Sequence, residues 1–471
     1  MLPSPKSYSI LPTVYPAGKE STVTVVPNER AFLFFEGEEY NVTVIGVNDD
    51  VPDRKIPAHH VKFTVTAKDG ILRFCYTFAE EQEYTVIVSQ NDKALCTLSV
   101  YALEDDLYSL TPLRGDLHVH SRRSDGARDP IALLGHFREQ GYDFATLSDH
   151  NRYYPGAEID KAYADVKLGI THIQGEEVHI PETPVHIVHV GGKSSVAQIY
   201  IDNSPEYQAE MQSYKDNAPT DIPEKYADRY AMAKWVCDKA HAADGLAIFP
   251  HPYWKPGDSK SFNVCDEFAK IFISSGMFDA YELIGGMSPS YNNRSVNLWA
   301  ELRAEGVNIP VVGSSDVHTM EKADTFPHNF TICFAKSNTE GDIIDAVKNG
   351  LSLAVEAQGD EYGRVYRCYG RLRLAAYGRF LLENYFPTLQ RVCQGEGIAM
   401  RAYAMGRTPK ETVELQVAQT ELFKSEYFGR TAPTLPTQEI LDFESSARER
   451  HYQGPITKGS LIYSDTVSRN R

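Results

Sequence analysis

Five short apolar runs in the middle of this chain each break off at a histidine or a carboxylate, and this recurrence narrows the available folds most. His118 and His120 lie in GDLHVHSRRSDG, with Asp125 in a turn beside Gly126. His150 ends FATLSDH, Glu176 and Glu177 follow THIQG, His251 ends LAIFPH, and Asp316 and His318 end IPVVGSSDVH. A further segment, PVHIVHVGG, carries His186 and His189. Continuous apolar runs of this length suit strands buried on both faces of a parallel sheet. Helical patterns separate them. Asp129-Pro130 supplies an N-cap and a first-turn proline, and Gly141 ends that helix. EKYADRYAMAKWVCDKAHAADG and NNRSVNLWAELRAEG are two more helical stretches, each closing at a glycine. Strand–helix alternation predicts an α/β barrel or a related parallel sheet, in which the C-terminal ends of the strands converge on one mouth.

The flanking regions read differently. Residues 1–108 hold STVTVV, AFLFF, YNVTVIG, VKFTVTA, ILRFCYTF, YTVIVS and ALCTLSVY, short runs rich in β-branched and aromatic residues. Asp69-Gly70 and Asn91-Asp92 stand between such runs as hairpin turns. This predicts an N-terminal β-sandwich of immunoglobulin-like size, with His59 and His60 as solvated loop residues. The barrel is expected over 109–360. Residues 361–471 read as a helical extension, through GRLRLAAYGRFLLENYFPTLQRVC and TPKETVELQVAQTELFKSEYFG, with a polar tail from about Thr431.

The charge balance bounds the partners. Lys and Arg number 47 against 64 Asp and Glu, a net charge of −17. Such a surface repels nucleic acid and anionic lipid at long range, yet permits a small anionic substrate at a local cationic or metal site. No apolar run reaches the roughly 18 residues of a membrane span, and the first residues lack the charged start and apolar core of a signal peptide. Seven scattered cysteines with no CxxC pair fit a reducing compartment. The expectation is a cytoplasmic protein that binds neither nucleic acid nor membrane. No Walker A loop, GxGxxG fingerprint, GxSxG elbow or zinc-finger pattern occurs.

Imidazole and carboxylate groups converging at strand ends suit a cluster of divalent first-row metals. In an extended strand His118 and His120 present both rings to one face. Taken in order, DLHVHSRRSDG, TLSDHN, GEEVH, HIVHVGG, FPHP and GSSDVH resemble the motifs of the PHP (polymerase and histidinol phosphatase) superfamily. GEE with a following His, and later ELIGG, NNRSVNLWAELRAEG and VVGSSDVH, resemble its CehA/McbA-like metallohydrolase subgroup. The resemblance spans roughly 109–355.

It implies a distorted (β/α)7 TIM-like barrel holding two or three divalent ions, Zn, Mn or Fe. Carried over by motif, His118 and His120 share one ion with a Glu and Asp316. That Glu bridges to a second ion held by a His of the HIVHV segment and by His251. Asp125, His150 and His318 hold the third. The family's Gly-x-Glu pattern selects Glu177 over Glu176, and strand alternation lets only one of them face the site. The family's His ahead of a Gly matches His186, and His189 has the opposite strand parity. The resemblance also implies a metal-dependent hydrolase with a metal-bridging hydroxide as nucleophile, commonly a phosphoesterase, with carboxylester or carbamate cleavage as the alternative. A binding protein that holds metal without turnover is a further alternative. Beside the ligands, Arg122, Arg123, Arg152 and Lys255 are candidate cations for an anionic substrate. His179 and Tyr253 are candidate proton donors, Asp316 is a catalytic candidate as well as a ligand, and Trp254 and Tyr291 are candidate pocket walls.

Overall fold

In the computed structural model, residues 6–49, 60–257, 259–320, 325–358 and 365–453 are described. They divide into two compact units, Asp105–Lys424 and a smaller one made of Ser4–Glu104 with Ser425–Arg471.

The smaller unit contains strands β1 (Tyr8–Leu11), β2 (Val14–Pro16), β3 (Glu20–Pro27), β4 (Glu39–Gly46), β5 (Val61–Thr66), β6 (Leu72–Thr77), β7 (Glu83–Gln90) and β8 (Lys93–Leu103). They form one sheet in the order β1-β3-β6 and a second in the order β2-β8-β7-β4-β5. Alternation decides which side chains go inside: Tyr40, Val42 and Val44 of β4 and Tyr84, Val86 and Val88 of β7 are buried. They share one apolar cluster with Val23 and Val25 of β3. Asp69-Gly70 and Asn91-Asp92 all have positive φ, from 50° to 73°, as tight two-residue hairpins require. AFLFF is not a strand. Arg30–Phe32 forms a single 3-10 turn, and Phe34 drops into the core against Tyr8 and Tyr40. His60 leads into β5, and His59 lies outside the described residues.

The larger unit holds a ten-stranded, nearly closed sheet. Its strands are β9 (Thr111–Val119), β10 (Phe144–Leu147), β11 (Thr171–His179), β12 (His186–Val190), β13 (Leu246–Phe249), β14 (Ala280–Ile284), β15 (Val311–Gly313), β16 (Phe330–Ala335), β17 (Ser352–Gln358) and β18 (Val365–Tyr369). The order is β15-β14-β13-β12-β11-β10-β9-β16-β17-β18. Pairings β9–β10, β10–β11, β13–β14 and β14–β15 are parallel. Strand β12 is antiparallel to both neighbours. The link from β11, residues 180–185, is too short for a crossover and permits only a reversal. Beyond β15 the chain returns to β9: the Asp316 amide donates to His118 O (3.0 Å), and the His120 amide donates to Val317 O (3.1 Å).

The larger unit runs through Lys424, and the smaller one resumes at Ser425. Helices Pro130–Glu139 and Phe386–Ala404 approach so closely that a Cβ on Gly397 would lie 2.4 Å from Gly135 O. Across that contact the buried Arg138 donates from Nε to Glu396 Oε2 (2.8 Å) and from Nη1 to Asp143 Oδ1 (3.3 Å), while Lys424 Nζ lies 2.9 Å from Asp143 Oδ1. Removing one member of such a buried ion network costs about 3–5 kcal/mol. The polar stretch expected as a tail contains a helix, Gln438–Gln453, whose sequence has neither Gly nor Pro to interrupt it.

Candidate metal centre

The ends of β9, β10, β11, β13 and β15 bring their histidines and carboxylates together. His118 is the penultimate residue of β9, and His120 follows it by two. Their Nε2 atoms stand 3.1 Å apart, both rings fully buried. His186 reaches the same place from the other direction. It opens the antiparallel β12, so the rule that every ligand sits at a strand's C-terminal end fails there because the strand is reversed.

Glu177 is the hub. Its Oε2 lies 3.3 Å from both His118 Nε2 and His120 Nε2 and 3.0 Å from His150 Nδ1. Its Oε1 lies 2.7 Å from His186 Nδ1 and 3.0 Å from His251 Nε2. Asp316 Oδ1 stands 3.1 Å from His120 Nε2 and 3.4 Å from His118 Nε2. Asp125 forms the open side. Its carboxylate, 54% exposed, lies 3.3 Å from His318 Nε2, 3.6 Å from His150 Nε2 and 3.7 Å from His120 Nδ1. Four overlapping groups have all donor atoms within 4.8 Å of one another: His118, His251 and Asp316; His118, His120 and Glu177; His150, Glu177 and His186; and His120, Asp125, His150 and His318.

The backbone is strained at two of these residues. His251 and Asp316 have φ of 22° and 49° without being glycine. Such conformations cost of order 1–3 kcal/mol and persist where surrounding structure over-determines them.

Alternation sorts the neighbouring pairs. On the β11–β12 ladder, His179 stands opposite His186 and Glu176 opposite His189. Glu176 and His189 therefore face away from Glu177. There Glu176 is satisfied locally: Ser195 Oγ donates to Oε2 (2.8 Å), the Val196 amide donates to Oε1 (2.5 Å), and His189 Nδ1 lies 3.2 Å from Oε1.

Electrostatics follow from this packing. Burial alone would push Glu177 and Asp316 up, but the surrounding imidazoles hold both carboxyls below the ordinary range. Burial disfavours a charged His120, yet Asp316 and Glu177 outweigh it and raise its pKa to about 9. His118 is raised in the same way. Burial wins at His150, which falls to about 4. Asp125 is held low by His318.

The donor set fits divalent ions. Asp316 Oδ1 is buried without a hydrogen-bond partner, and so are His120 Nδ1 and His251 Nδ1. His150 Nδ1 stands close to Glu177 Oε2 without hydrogen-bond geometry. Ring nitrogens facing each other at 3.1 Å beside unpartnered carboxylate oxygens are the arrangement a cation reconciles.

The other expected residues are placed less centrally. Arg122 pairs with Asp129 (2.9 Å) and Arg123 with Glu158 (2.7 Å), both partly exposed. Arg152 is exposed. The Lys255 ammonium lies over the rings of Phe262 and Tyr291, 5.2 Å from each. Tyr253 is buried and donates to Asp266 Oδ1 (2.8 Å), so its hydroxyl is committed there. Trp254 lies beside His186 and His251, with ring centroids 5.7 and 6.0 Å away. The half-buried His179 packs 4.4 Å from the ring of His186.

Three carboxylates behind the centre are additional to those singled out from the sequence. Glu282 Oε2 lies 2.9 Å from His118 Nδ1. Asp116 accepts the amides of His118 and Ser315, 3.2 and 3.1 Å, and ties β9 to the end of β15. Asp149 accepts from the Ser121 amide (2.7 Å) and from the hydroxyls of Ser121 and Ser124 (both 2.6 Å), which anchors the turn leading to Asp125. A carboxylate inside the apolar run AYELI, and others immediately beside HxH and DH, were the available signals.

No family model and no curated protein matches the chain. Among solved structures it is similar to a two-domain protein from Bacteroides vulgatus containing a predicted PHP-like metal-dependent phosphoesterase, at 17% identity over 56% of this chain and 76% of that one, with a TM-score of 0.37. It is similar to a candidate metal-dependent phosphoesterase from Bifidobacterium adolescentis, at 17% identity over 45% of this chain and 91% of that one, TM-score 0.33. A third is an amidohydrolase from Chromobacterium violaceum with bound sulfate, at 17% identity over 45% and 89% of the two chains, TM-score 0.30.

Proposed function

We propose that this protein is a metal-dependent hydrolase of the PHP superfamily, CehA/McbA-like, that cleaves a small anionic phosphoester. The carrying observation is Glu177, a buried carboxylate whose two oxygens face five imidazoles contributed by four separate segments. We read the ten-stranded sheet as the distorted (β/α)7 barrel of that superfamily, and the two small sheets as a β-sandwich. His118, His120, Glu177 and Asp316 would hold one ion, Glu177, His186 and His251 a second, and Asp125, His150 and His318 a third, with Zn, Mn or Fe the metals that suit these donors. Bound ions supply Lewis acidity and a water of lowered pKa. The protein's own groups then orient and exchange protons. Asp316, strained and unpartnered at Oδ1, is aimed at the reacting region, and His179 beside His186 delivers a proton to the leaving group.

One observation favours carboxylester or carbamate cleavage at the same centre: Arg122 and Arg123, the cations nearest the HxH motif in sequence, are engaged with Asp129 and Glu158. The deciding experiment measures metal content after purification without added metal, then turnover of phosphomonoester, phosphodiester and carboxylester substrates by wild type and Asp316→Ala. Phosphoester turnover abolished by Asp316→Ala is expected. Ester-only turnover would transfer the reading to the alternative, and bound metal with no turnover would favour a binding role. The net charge of −17 argues against nucleic acid as a partner. No helix among the described residues is long and apolar enough to cross a membrane. Seven free cysteines suit a reducing compartment such as the cytoplasm.

A further inference from the structure

We propose that Glu282, Gly285 and Gly286 act together as a positioning device for the His118–Asp316 side of the metal centre. The proposal rests on the metal reading above and deepens it. It begins with a carboxylate where a strand should have none. Glu282 is fully buried in the middle of AYELI, strand β14. One of its oxygens, Oε2, lies 2.9 Å from His118 Nδ1, and the other, Oε1, has no hydrogen-bond partner. A carboxylate behind a ligating imidazole fixes which ring nitrogen carries the proton, sets the ring's rotation and makes the opposite nitrogen more basic. With an ion bound, a proton held toward Glu282 would leave His118 Nε2, which faces Glu177 Oε2 (3.3 Å) and Asp316 Oδ1 (3.4 Å), as the ligating atom.

The two glycines that follow serve the same end. Neither has a positive φ, so the turn itself does not demand glycine. Space does. A Cβ at residue 285 would lie 2.1 Å from Glu282 Oε1, and one at residue 286 would lie 2.4 Å from Asp316 Cβ and 2.6 Å from its Oδ2. Gly285 thus clears the carboxylate that aims His118, and Gly286 clears the carboxylate of Asp316 itself. The segment is held rigidly. The Gly285 amide donates to Asn292 Oδ1 (3.1 Å), and Gly285 O accepts from the side-chain amides of Asn292 (3.2 Å) and Asn329 (3.0 Å). The outer group of His120, Asp125, His150 and His318 contains neither His118 nor Asp316.

The device therefore acts selectively. Glu282→Ala and Gly286→Ala should weaken one ion by about 10–100-fold, the range for losing a partner behind a ligand, while an ion on the outer group keeps its affinity. Glu282→Gln retains an oxygen able to accept from Nδ1–H but loses the charge, so its effect should be smaller than that of Glu282→Ala. Gly341→Ala, in helix Glu340–Lys348 with nothing within 4 Å of an added Cβ, is the control. The test uses the full chain. Metal content is measured by mass spectrometry, stepwise affinities by chelator competition, and folding by circular dichroism. Long-range proton–nitrogen spectra of the zinc-loaded protein would show the His118 Nδ1–H signature in wild type and its displacement in Glu282→Ala. Because Glu282→Gln conserves volume, it keeps the test open if the alanine variant does not fold. A folded Glu282→Ala, or failing that a Glu282→Gln, with wild-type ion count, affinities and ring signature overturns this proposal alone. A wild-type protein that binds no ion overturns the metal reading with it.

Discussion

The two faces of the β11–β12 hairpin carry the same chemistry and put it to opposite uses. One face holds Glu176 and His189, the other Glu177 and His186. Behind the sheet, Glu176 is closed off by the Ser195 hydroxyl, the amides of Val196 and Ala197, and His189. Toward the mouth, Glu177 meets imidazoles that crowd it without satisfying one another, and Asp316 Oδ1 nearby has no partner. Burial is the same for both carboxylates, about 0–1% exposure, so burial does not separate a structural acid from a candidate ligand. What separates them is the kind of neighbour: a hydroxyl, amides and one imidazole around Glu176, five imidazoles around Glu177.

That contrast can be broken by matched substitutions. Glu177→Ala should abolish turnover and lower metal affinity by more than the ~10–100-fold expected for a partner behind a ligand, read by metal content and kinetics on the same preparation. Glu176→Ala should do the reverse. It strands a buried hydroxyl, amides and an imidazole, each worth about 1–3 kcal/mol, so thermal unfolding should shift strongly while bound metal per folded chain stays at the wild-type value. Equal metal loss in both variants would erase the distinction.

A second, smaller effect comes from protons. With no cation present, the folded-state pKa of His120 is raised to about 9, burial being outweighed by Asp316 and Glu177, and His118 is raised too. Near neutral pH both rings carry protons that a metal must displace. Apparent affinity should therefore rise with pH up to about 9. His150, lowered to about 4 by burial, is already neutral and adds no such dependence above pH 5 or so. Calorimetry in buffers of different ionisation enthalpy should show proton release on metal binding at pH 7. Release unchanged in a His120→Gln variant would locate the protons elsewhere.

The smallest effect is expected at Arg122. Its exposed pair with Asp129 is worth under about 1 kcal/mol, so Arg122→Ala should hardly move the unfolding midpoint. The KM for a phosphoester should also stay near wild type. A large rise in KM would return Arg122 to the substrate site.

Much of this centre is legible in the primary structure because strand alternation is a local rule. Once THIQGEEVH and HIVHV are read as strands, the period of two puts Glu177 and Glu176 on opposite faces, and the positive-φ turns at Asp69-Gly70 and Asn91-Asp92 are equally local. Other features were less accessible. AFLFF has strand-like composition, yet Phe34 finds its place as a plug between Tyr8 and Tyr40. Arg122 and Arg123 follow HxH directly, but their side chains turn to Asp129 and Glu158.

The order of histidines and carboxylates along the chain, each beside an apolar run, was enough to specify which chemical groups the molecule can gather, because side-chain type and strand period are carried by neighbours in sequence. Which of them meet, with β12 reversed to bring in His186, Glu282 set behind His118 from 164 positions away, and two glycines clearing room for Glu282 and Asp316, was decided only by the packed fold, since tertiary contacts, not local preference, choose the partner of a buried charge.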